Sequence, residues 1–227
     1  MKVIETQNIS RIYHQGEIEV KALNNVSIDF KKGEFTAIIG PSGSGKTTFL
    51  NAIGGLDKPN SGKVIINNTD ITTLSENEMI DFRLRNIGFV FQAYNLIPVL
   101  TAKENVEFVM LMQGKSKQER EKRAIQLLKE VGLSAQINRR PNQLSGGQQQ
   151  RVAVARALAS KPQFVLADEP TANLDSTSTS DLLDIMQQLK KEEGMTFVFS
   201  THDQRVIDRA NRIITLEDGK ILSDVKV

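Results

Sequence analysis

The sequence predicts an α/β fold in which a mostly parallel sheet carries a helical insert. Two nearly all-apolar runs, EFTAIIG and QFVLAD, have the composition of central strands that are buried on both faces. The second run is followed by a helical pattern and then by another β-type run, and this order implies parallel strands. Between the two runs, from about residue 75 to 160, apolar residues recur at helical spacing, which indicates the insert.

The individual elements follow from local patterns. In the first forty residues, KVIETQNI, VSIDF and EFTAIIG are β-type runs separated by polar turns such as HQGE and KKGE, and KVIINNTDI follows a PNSG turn. The predicted helices of the insert are SENEMIDFRLRN, AKENVEFVMLMQ, KQEREKRAIQLLKEVG and GGQQQRVAVARALAS. After QFVLAD, we expect a capped helix that ends at Gly194, the strand TFVFSTH, and a hairpin around Asp218 and Gly219.

Composition narrows the class of protein. A chain of 227 residues with 39% hydrophobic residues supports one sizeable core, so we expect a single domain over 1–227. The absence of cysteine excludes disulfides and cysteine-ligated zinc. A net charge of +2 and an aromatic content of 5% give no support for a nucleic-acid partner. Since neither a membrane-spanning run nor a signal-peptide pattern is visible, we expect a cytoplasmic location.

A glycine-rich loop follows the strand EFTAII directly and precedes helical sequence. It consists of Gly40, Pro41, Ser42, Gly43, Ser44, Gly45, Lys46 and Thr47, followed by Thr48. This matches the phosphate-binding pattern G-x-x-x-x-G-K-[ST], in which backbone amides bind phosphate oxygens, the lysine reaches the β and γ phosphates, and the threonine hydroxyl binds Mg²⁺. A flexible turn with an incidental lysine is the alternative. A dinucleotide fingerprint is excluded because Thr48 stands where its third glycine belongs.

Two adjacent carboxylates end the strand in FVLADEP. Asp168 lies at the carboxyl end of a predicted parallel strand, where open α/β sheets bind ligands, and it can hold a magnesium ion. Glu169 would then face the γ-phosphate and orient or deprotonate a water. Such a pair can instead cap the next helix, but its combination with the phosphate loop favours catalysis.

A second anion-binding helix start is predicted at LSGGQ. Ser145 is a candidate helix cap, and Gly146 and Gly147 expose backbone amides just before Gln148. The apolar positions that follow are expected in the core and are Val152, Ala155, Leu158 and Ala159. An isolated helix with a small-residue start is the alternative, but it leaves unexplained why one small protein has two phosphate-seeking elements.

Six motifs in this order resemble those of an ABC ATPase: GPSGSGKT, Gln92 in FVFQAYN, LSGGQ, LADEP, NLD at 173–175, and His202 in STHD. The resemblance implies a phosphate-loop NTPase core over 1–90 and 161–227, with a mostly parallel sheet and an antiparallel β-subdomain, and a helical subdomain over about 91–160. It also implies a head-to-tail homodimer in which each ATP lies between the phosphate loop of one copy and LSGGQ of the other.

The resemblance further implies roles for single residues. Tyr13 would stack on adenine, and Asp175 would cross the dimer interface. The expected catalytic residues are Lys46, Gln92, Glu169 and His202, and the expected magnesium ligands are Thr47, Gln92 and Asp168. Tyr13 could instead be an ordinary half-buried strand aromatic, and Gln92 a solvated loop amide.

Within the family, NAIGGLDKPNSGKV and IGFVFQAYNLIPVLTAKENVE are similar to the lipoprotein-releasing, macrolide-exporting and cell-division branch, although NVEFVM lacks a proline that often follows there. This branch implies a partner, an integral membrane permease with a large periplasmic or extracellular domain, which would hold the chain on the cytoplasmic face of the membrane. The segment AYNLIPVLTAKENVEF is the candidate docking face, but its apolar residues fit packing of the insert equally well.

Three functions from different classes fit these motifs. The first is a transporter or extrusion ATPase that drives a separately encoded permease, and the second is a complex of the same build that transmits force and moves no solute. The third is a soluble ABC ATPase that acts on DNA or ribosomes. Members of the third class carry long coiled-coil inserts or two cassettes with a charged linker, and neither is present here. The sequence therefore favours the first function, with the second as the alternative.

Overall fold

Two β-sheets and seven α-helices form the described part of the chain, which in this computed structural model comprises residues 1–16 and 18–227. The strands are β1 (Lys2–Gln15), β2 (Ile18–Lys31), β3 (Phe35–Ile39), β4 (Ser61–Ile66), β5 (Thr69–Asp70), β6 (Ile87–Val90), β7 (Phe164–Asp168), β8 (Thr196–Ser200), β9 (Arg212–Glu217) and β10 (Lys220–Lys226). The helices are α1 (Lys46–Ile53), α2 (Glu76–Asn86), α3 (Ala102–Met112), α4 (Lys117–Glu130), α5 (Gly146–Ala159), α6 (Ser176–Glu193) and α7 (Gln204–Ile207).

The larger sheet has six strands in the order β10-β9-β3-β8-β7-β6. Five neighbouring strands are parallel to one another, namely β9, β3, β8, β7 and β6. Strand β10 at the edge is antiparallel to β9. Ser200 of β8 pairs with Ile38 of β3 on one side and with Asp168 of β7 on the other. This register brings the residues that follow β3, β7 and β8 together at one edge of the sheet.

Both faces of this sheet are covered, as its apolar strands predict. Phe197 and Phe199 of β8 belong to a buried cluster with residues of α3, α4, α5 and α6, whereas Val198 belongs to a second cluster with residues of α1 and the smaller sheet. Alternate residues of a strand point to opposite faces, so the two clusters lie on opposite sides of the sheet. The apolar stripe of α5 is buried in the first cluster, as predicted.

The smaller sheet is antiparallel, with the order β2-β1-β4-β5, and confirms the predicted antiparallel part of the fold. Its first two strands have 14 residues each and are longer than the apolar runs suggest. The predicted turn HQGE is shorter than expected, because His14 and Gln15 still belong to β1. Glu17, the last residue of that turn, lies outside the described residues.

One strand within the segment expected to be helical was missed. The residues IGFV form β6, which pairs with β7 at the edge of the larger sheet. A run of four apolar residues has no distinguishing period, so its neighbour in the sheet decides its conformation. The predicted helices on either side are present as α2 and α3, and α6 ends at Gly194, whose φ of 64° terminates the helix as expected.

None of the helices in residues 1–16 and 18–227 combines the length and the apolar composition that crossing a bilayer requires.

The two sheets are joined by the buried guanidinium of Arg212. It donates to both carboxylate oxygens of Asp224 at 2.7 Å, to Glu34 at 2.9 Å and to the backbone carbonyl of Asp29 in β2 at 2.6 Å. The side chain is 7% exposed and lies over the ring of Phe30. Its hydrogen bonds lower the pKa of Asp224 below the ordinary value of 3.8. The polar contacts of one side chain therefore hold β2 against β9 and β10.

We expect Arg212→Met to lower the free energy of unfolding by about 3 kcal/mol at pH 7, because it leaves Glu34, whose side chain is only 12% exposed, without its ion-pair partner. Urea unfolding measures this loss. The matched control is Arg85→Met, whose partner Asp81 is more than half exposed and whose loss should cost less than about 0.5 kcal/mol.

The ion pair between Arg212 and Asp224 predicts that the free energy of unfolding depends on pH. A carboxyl group with a lowered pKa in the folded state contributes stability above its unfolded pKa and loses that contribution as it becomes protonated. The difference between the wild type and Arg212→Met should therefore narrow as the pH falls below 3.8. Equal unfolding free energies at pH 7 would contradict the assigned role of Arg212.

Candidate functional site

A cavity of about 670 Å³ opens at the edge where β3, β7 and β8 end. The residues predicted from sequence that line it are Tyr13, Gly40, Ser42, Gly43, Gly45, Lys46, Thr47, Thr48, Gln92, Glu169 and His202. Ala22 and Ser200 also line the cavity and were not predicted. Residues from six separate segments of the sequence thus converge on one space.

The phosphate-loop sequence wraps one wall of this cavity. Gly40 and Gly45 have φ values of 150° and 101°, and a β-carbon there would lie only 2.0 Å from the carbonyl oxygen of Leu216 and 2.2 Å from that of Ala22. Both positions therefore require glycine, for the backbone conformation and for the close approach. Pro41 and Ser44 belong to the loop without lining the cavity, and Ser44 is buried beneath it.

Positive charge is concentrated where the loop becomes a helix. Helix α1 begins at Lys46, and the backbone N–H groups of a first helical turn lack intrahelical partners and favour anions. The Lys46 ammonium donates to the carbonyl oxygens of Gly40 and Pro41 at 2.8 and 2.9 Å. The lysine thus lies over the loop at the cavity wall, where it can reach a bound phosphate.

A hydroxyl that lines the cavity contacts a carboxylate at the end of β7. Thr47 Oγ1 lies 3.0 and 3.2 Å from the two carboxylate oxygens of Asp168, although Asp168 itself is not among the lining residues. Oxygen donors of these two types are the ligands that Mg²⁺ takes in phosphate-binding sites. The pair therefore fits a magnesium ion held together with phosphate oxygens.

Glu169 adopts an unusual backbone conformation at the end of β7. Its φ is 44°, and its N–H donates to the carbonyl oxygen of Ser200 at 2.8 Å. A residue other than glycine is strained in this left-handed region, and such strain often marks functional sites. The conformation turns the side chain into the cavity, where it is 16% exposed.

The two carboxylate oxygens of Glu169 have different surroundings. Oε1 lies 2.8 Å from Nδ1 of His202, and Oε2 is buried without a hydrogen-bond partner in residues 1–16 and 18–227. A buried unpaired carboxylate oxygen is costly, and a water is its natural partner. The alternative that the acid pair caps the next helix is not realised, since Asp175 is the cap residue of α6.

Two cavity residues were predicted from the resemblance alone. Tyr13 is 38% exposed near the end of β1, and Gln92 is exposed just after β6. The backbone carbonyl of Gln92 accepts a hydrogen bond of 3.0 Å from the side-chain amide of Asn173. The loop that carries Gln92 is therefore attached to the NLD segment, a contact between residues 81 positions apart.

The LSGGQ segment lies outside this cavity. Ser145, Gly146, Gly147 and Gln148 are absent from its lining, and so is Asp175. Ser145 caps α5 by accepting from the N–H of Gln148 at 3.3 Å, and this confirms the predicted cap. Ser145 itself is exposed. The start of α5, predicted to bind an anion, therefore does not contribute to the cavity of its own chain.

The glycines of LSGGQ also have a packing role that the sequence did not indicate. A β-carbon on Gly146 would lie 2.8 Å from the hydroxyl oxygen of Tyr94, and one on Gly147 would lie 2.7 Å from Oγ of Ser178. Small residues at these positions let the start of α5 approach both the loop after β6 and the start of α6.

Two carboxylates, Asp175 and Asp203, make contacts that the sequence did not predict. Asp175 accepts hydrogen bonds from the N–H and hydroxyl of Ser178, which lower its pKa, and its carboxylate is exposed. Asp203, which sequence reasoning missed, binds Arg205 through both oxygens and accepts from the hydroxyl of Thr171 at 2.7 Å. Arg205 lowers the pKa of Asp203 to about 2. The position of Asp203 directly after His202 is the sequence feature that could have identified it as a residue of interest.

The chain matches a family model described as ABC transporter over residues 23–172. It is 48% identical to an ABC transporter ATP-binding protein of Thermotoga maritima, over 97% of this chain and 94% of that protein. It is 42% identical to the lipoprotein-releasing system ATP-binding protein LolD of Legionella pneumophila, over 96% of each chain. It is 44% identical to the macrolide export ATP-binding/permease protein MacB of Brucella melitensis. This match covers 98% of this chain and 34% of MacB.

Solved structures agree with this fold. A dimeric structure of a post-hydrolysis state of the ATP-binding cassette MJ0796 of Methanocaldococcus jannaschii, bound to ADP and Pi, superposes with a TM-score of 0.91 at 47% identity and covers 98% of each chain. The family assignment follows from the cavity with its phosphate-loop sequence, from the order of the motifs and from matches that cover nearly the whole of this chain. The chain belongs to the ABC transporter ATP-binding family and is an ATPase of that family.

Proposed function

We propose that this chain binds two Mg-ATP as a head-to-tail homodimer and drives a membrane permease by hydrolysing them. The carrying observation is the placement of LSGGQ, whose Ser145 is exposed and whose residues do not line the cavity that contains the phosphate loop of the same chain. A second copy related by a two-fold axis would bring its LSGGQ onto this cavity. The relative with a dimeric structure bound to ADP and Pi supports this arrangement.

In this dimer the phosphates of ATP lie on the phosphate loop and face the amides of Ser145, Gly146 and Gly147 from the second copy. Lys46 neutralises the β and γ phosphates, and His202 contacts the γ-phosphate. Both the helix starts and the lysine place positive charge where negative charge develops during transfer, which is the main protein contribution to phosphoryl transfer.

Glu169 and Gln92 act on the attacking water. The unpaired Oε2 of Glu169 accepts a hydrogen bond from that water, while His202 holds Oε1 at 2.8 Å and fixes the carboxylate orientation. Gln92 enters the cavity from the loop after β6 and orients the same water. Asp175, exposed at the start of α6, crosses to the second copy.

The magnesium ligands of the chain are Thr47, Asp168 and Gln92 in this proposal. Thr47 and Asp168 already lie within 3.0 to 3.2 Å of each other, and Gln92 lines the same cavity. A bound Mg²⁺ supplies charge neutralisation at the phosphates. Thr47 and Asp168 fix the position of that charge relative to the phosphate loop.

The permease docks on a groove beside α3. This groove, about 320 Å³, is lined by residues that include Leu56, Phe89, Phe91, Asn95, Val109 and Arg156. Phe108, Leu111 and Met112 are 40 to 60% exposed. Leu111 and Met112 lie three and four residues after Phe108, so both share a face of α3 with it. Exposed apolar residues beside a groove mark an interaction surface. Of the predicted docking segment 93–108, the groove uses Asn95, and α3 supplies more of the surface than expected.

The groove is connected to the cavity by the loop after β6. Arg156 of α5 donates to the carbonyl oxygens of Tyr94 and Asn95, and Asn173 donates to that of Gln92. We infer that the helical subdomain over about 91–160 moves against the core, 1–90 and 161–227, of a single domain 1–227. Closure around ATP then moves the groove and the permease bound to it.

Relatives support the membrane partner and its location. LolD is an ATP-binding protein of a lipoprotein-releasing system, and MacB joins an ATP-binding part to a permease in one chain. We infer that a permease with a large periplasmic or extracellular domain is likewise the partner of this chain. The chain is then cytoplasmic and peripheral on the inner face of the plasma membrane.

The first prediction from the proposed function concerns the bound metal ion. Asp168→Asn should weaken the Mg²⁺-dependent part of ATP binding at least about tenfold, the lower end of what a lost metal-site partner costs, and should leave binding in EDTA nearly unchanged. Calorimetric titration with ATP at several Mg²⁺ concentrations measures this. Thr47→Ser, which keeps the hydroxyl, is the matched control. An unchanged Mg²⁺ dependence in Asp168→Asn would exclude the assigned role.

The second prediction concerns hydrolysis. Glu169→Gln should retain ATP binding, lose turnover by about a hundredfold or more because it removes the base, and accumulate as the ATP-bound dimer. Phosphate release and light scattering after gel filtration measure turnover and mass. Glu192→Gln, on the exposed face of α6, is the control and should behave like the wild type. An ATP-bound Glu169→Gln protein that stays monomeric at high concentration, and within its purified membrane assembly, refutes the proposed dimer.

The third prediction concerns docking. Phe108→Glu and Leu111→Glu should abolish co-purification with the permease, because a charge cannot be buried in an apolar interface. Basal ATPase activity should stay within about twofold, as for other surface substitutions. Leu222→Glu, at a 67% exposed position of β10, is the control. Full recovery of the permease with both α3 variants would place the docking surface elsewhere.

A further inference from the structure

Tyr13 is held by an ion pair behind the nucleotide cavity. Its hydroxyl donates to a carboxylate oxygen of Asp57 at 2.5 Å. Arg11 binds the same carboxylate through two nitrogens, at 2.7 and 2.8 Å, and its guanidinium carbon lies 4.8 Å from the centre of the Tyr13 ring. The three side chains therefore form a closed group, the Arg11–Tyr13–Asp57 clamp, in which each member contacts the other two.

The clamp leaves one face of the ring available. Tyr13 lines the cavity, and Arg11 and Asp57 are not among its lining residues. The guanidinium lies over one face of the ring, so a base that stacks on Tyr13 would use the other face. An aromatic face at the edge of a phosphate-binding cavity fits a planar base, which it can bind by stacking.

The clamp also ties the ring to the helix that carries the phosphate loop. Asp57 follows α1 by four residues, and its N–H donates to the carbonyl oxygen of Asn51 in that helix at 3.2 Å. In the same turn, Asn60 Oδ1 accepts from the N–H of Ile12 at 2.8 Å. The end of β1 is thus fixed at both the side chain of Tyr13 and the backbone beside it.

We propose that Asp57 and Arg11 are positioning residues that hold the Tyr13 ring ready to stack on the adenine of ATP. This rests on the proposed function, in which Tyr13 contacts the base. An exposed tyrosine near a strand end would otherwise lose rotational freedom when the base binds. The clamp removes this freedom beforehand, so less binding energy is spent on ordering the ring. Since the phosphate loop leads directly into α1 and Asp57 is bound to Asn51 of the same helix, the clamp holds the base at a fixed separation from the triphosphate.

The test compares ATP with inorganic triphosphate, which has the phosphates and no base. Tyr13→Phe, which keeps the ring, and Asp57→Asn should each weaken ATP binding by about fivefold, the equivalent of one hydrogen bond. Binding of triphosphate should change less than about twofold, within the usual effect of a surface substitution. In steady-state assays KM for ATP should rise with kcat nearly unchanged. Asp81→Asn, which removes the exposed partner of Arg85, is the control.

Two further measurements separate positioning from general destabilisation. The double variant Tyr13→Phe with Asp57→Asn should bind ATP about as weakly as either single variant, because both remove one interaction. The chain has two tyrosines and no tryptophan, so in a Tyr94→Phe background the emission reports Tyr13 alone. ATP should quench this emission more strongly than triphosphate does, and Asp57→Asn should reduce the difference.

The outcomes distinguish this inference from the proposed function. If Tyr13→Ala binds ATP and triphosphate as the wild type does, Tyr13 does not contact the base and the assigned role of Tyr13 fails. If Tyr13→Ala loses ATP affinity selectively while Tyr13→Phe and Asp57→Asn remain like the wild type, the clamp is refuted and the role of Tyr13 stands. Equal weakening of ATP and triphosphate by Asp57→Asn would also refute the clamp.

Discussion

The hydrogen bond between Thr47 and Asp168 is the contact on which the rest of the cavity depends. It joins the first turn of α1, which follows the phosphate loop, to the carboxyl end of β7. Glu169 follows directly, and its N–H is bound to Ser200 of the neighbouring strand. In-register parallel strands make this possible, because they bring polar ends from distant parts of the sequence to one edge of the sheet. The phenylalanines of β8, Phe197 and Phe199, are fully buried and anchor this strand in the core.

A second constraint comes from the start of α5. Gly146 and Gly147 pack against Tyr94 and Ser178, so the LSGGQ segment is fixed to the loop after β6 and to the start of α6. The LSGGQ residues do not line the cavity of the same chain. In the proposed dimer, each copy would contribute its LSGGQ to the cavity of the other. The geometry of a single chain thus explains why an ATPase of this family would act as a pair.

Much of the fold was predictable because its signals are local. Apolar runs, helix caps and the glycine-rich loop are read within a few residues, and β3, β7, α5 and α6 lie where the patterns placed them. The strand β6 was not predicted, because a run of four apolar residues takes its conformation from the neighbouring strand. Contacts such as Tyr13 with Asp57, 44 positions apart, have no local signal either.

The sequence by itself determined the family, the ATPase class and the identity of the phosphate-loop residues, because backbone amide binding to phosphate requires a short and specific pattern. Only the tertiary structure decided that Glu169 has a left-handed backbone, that one of its carboxylate oxygens lacks a hydrogen-bond partner among the described residues, and that LSGGQ does not line the cavity. These properties depend on strand register and on packing between distant segments. Register and packing are set by the whole core rather than by any short run of residues.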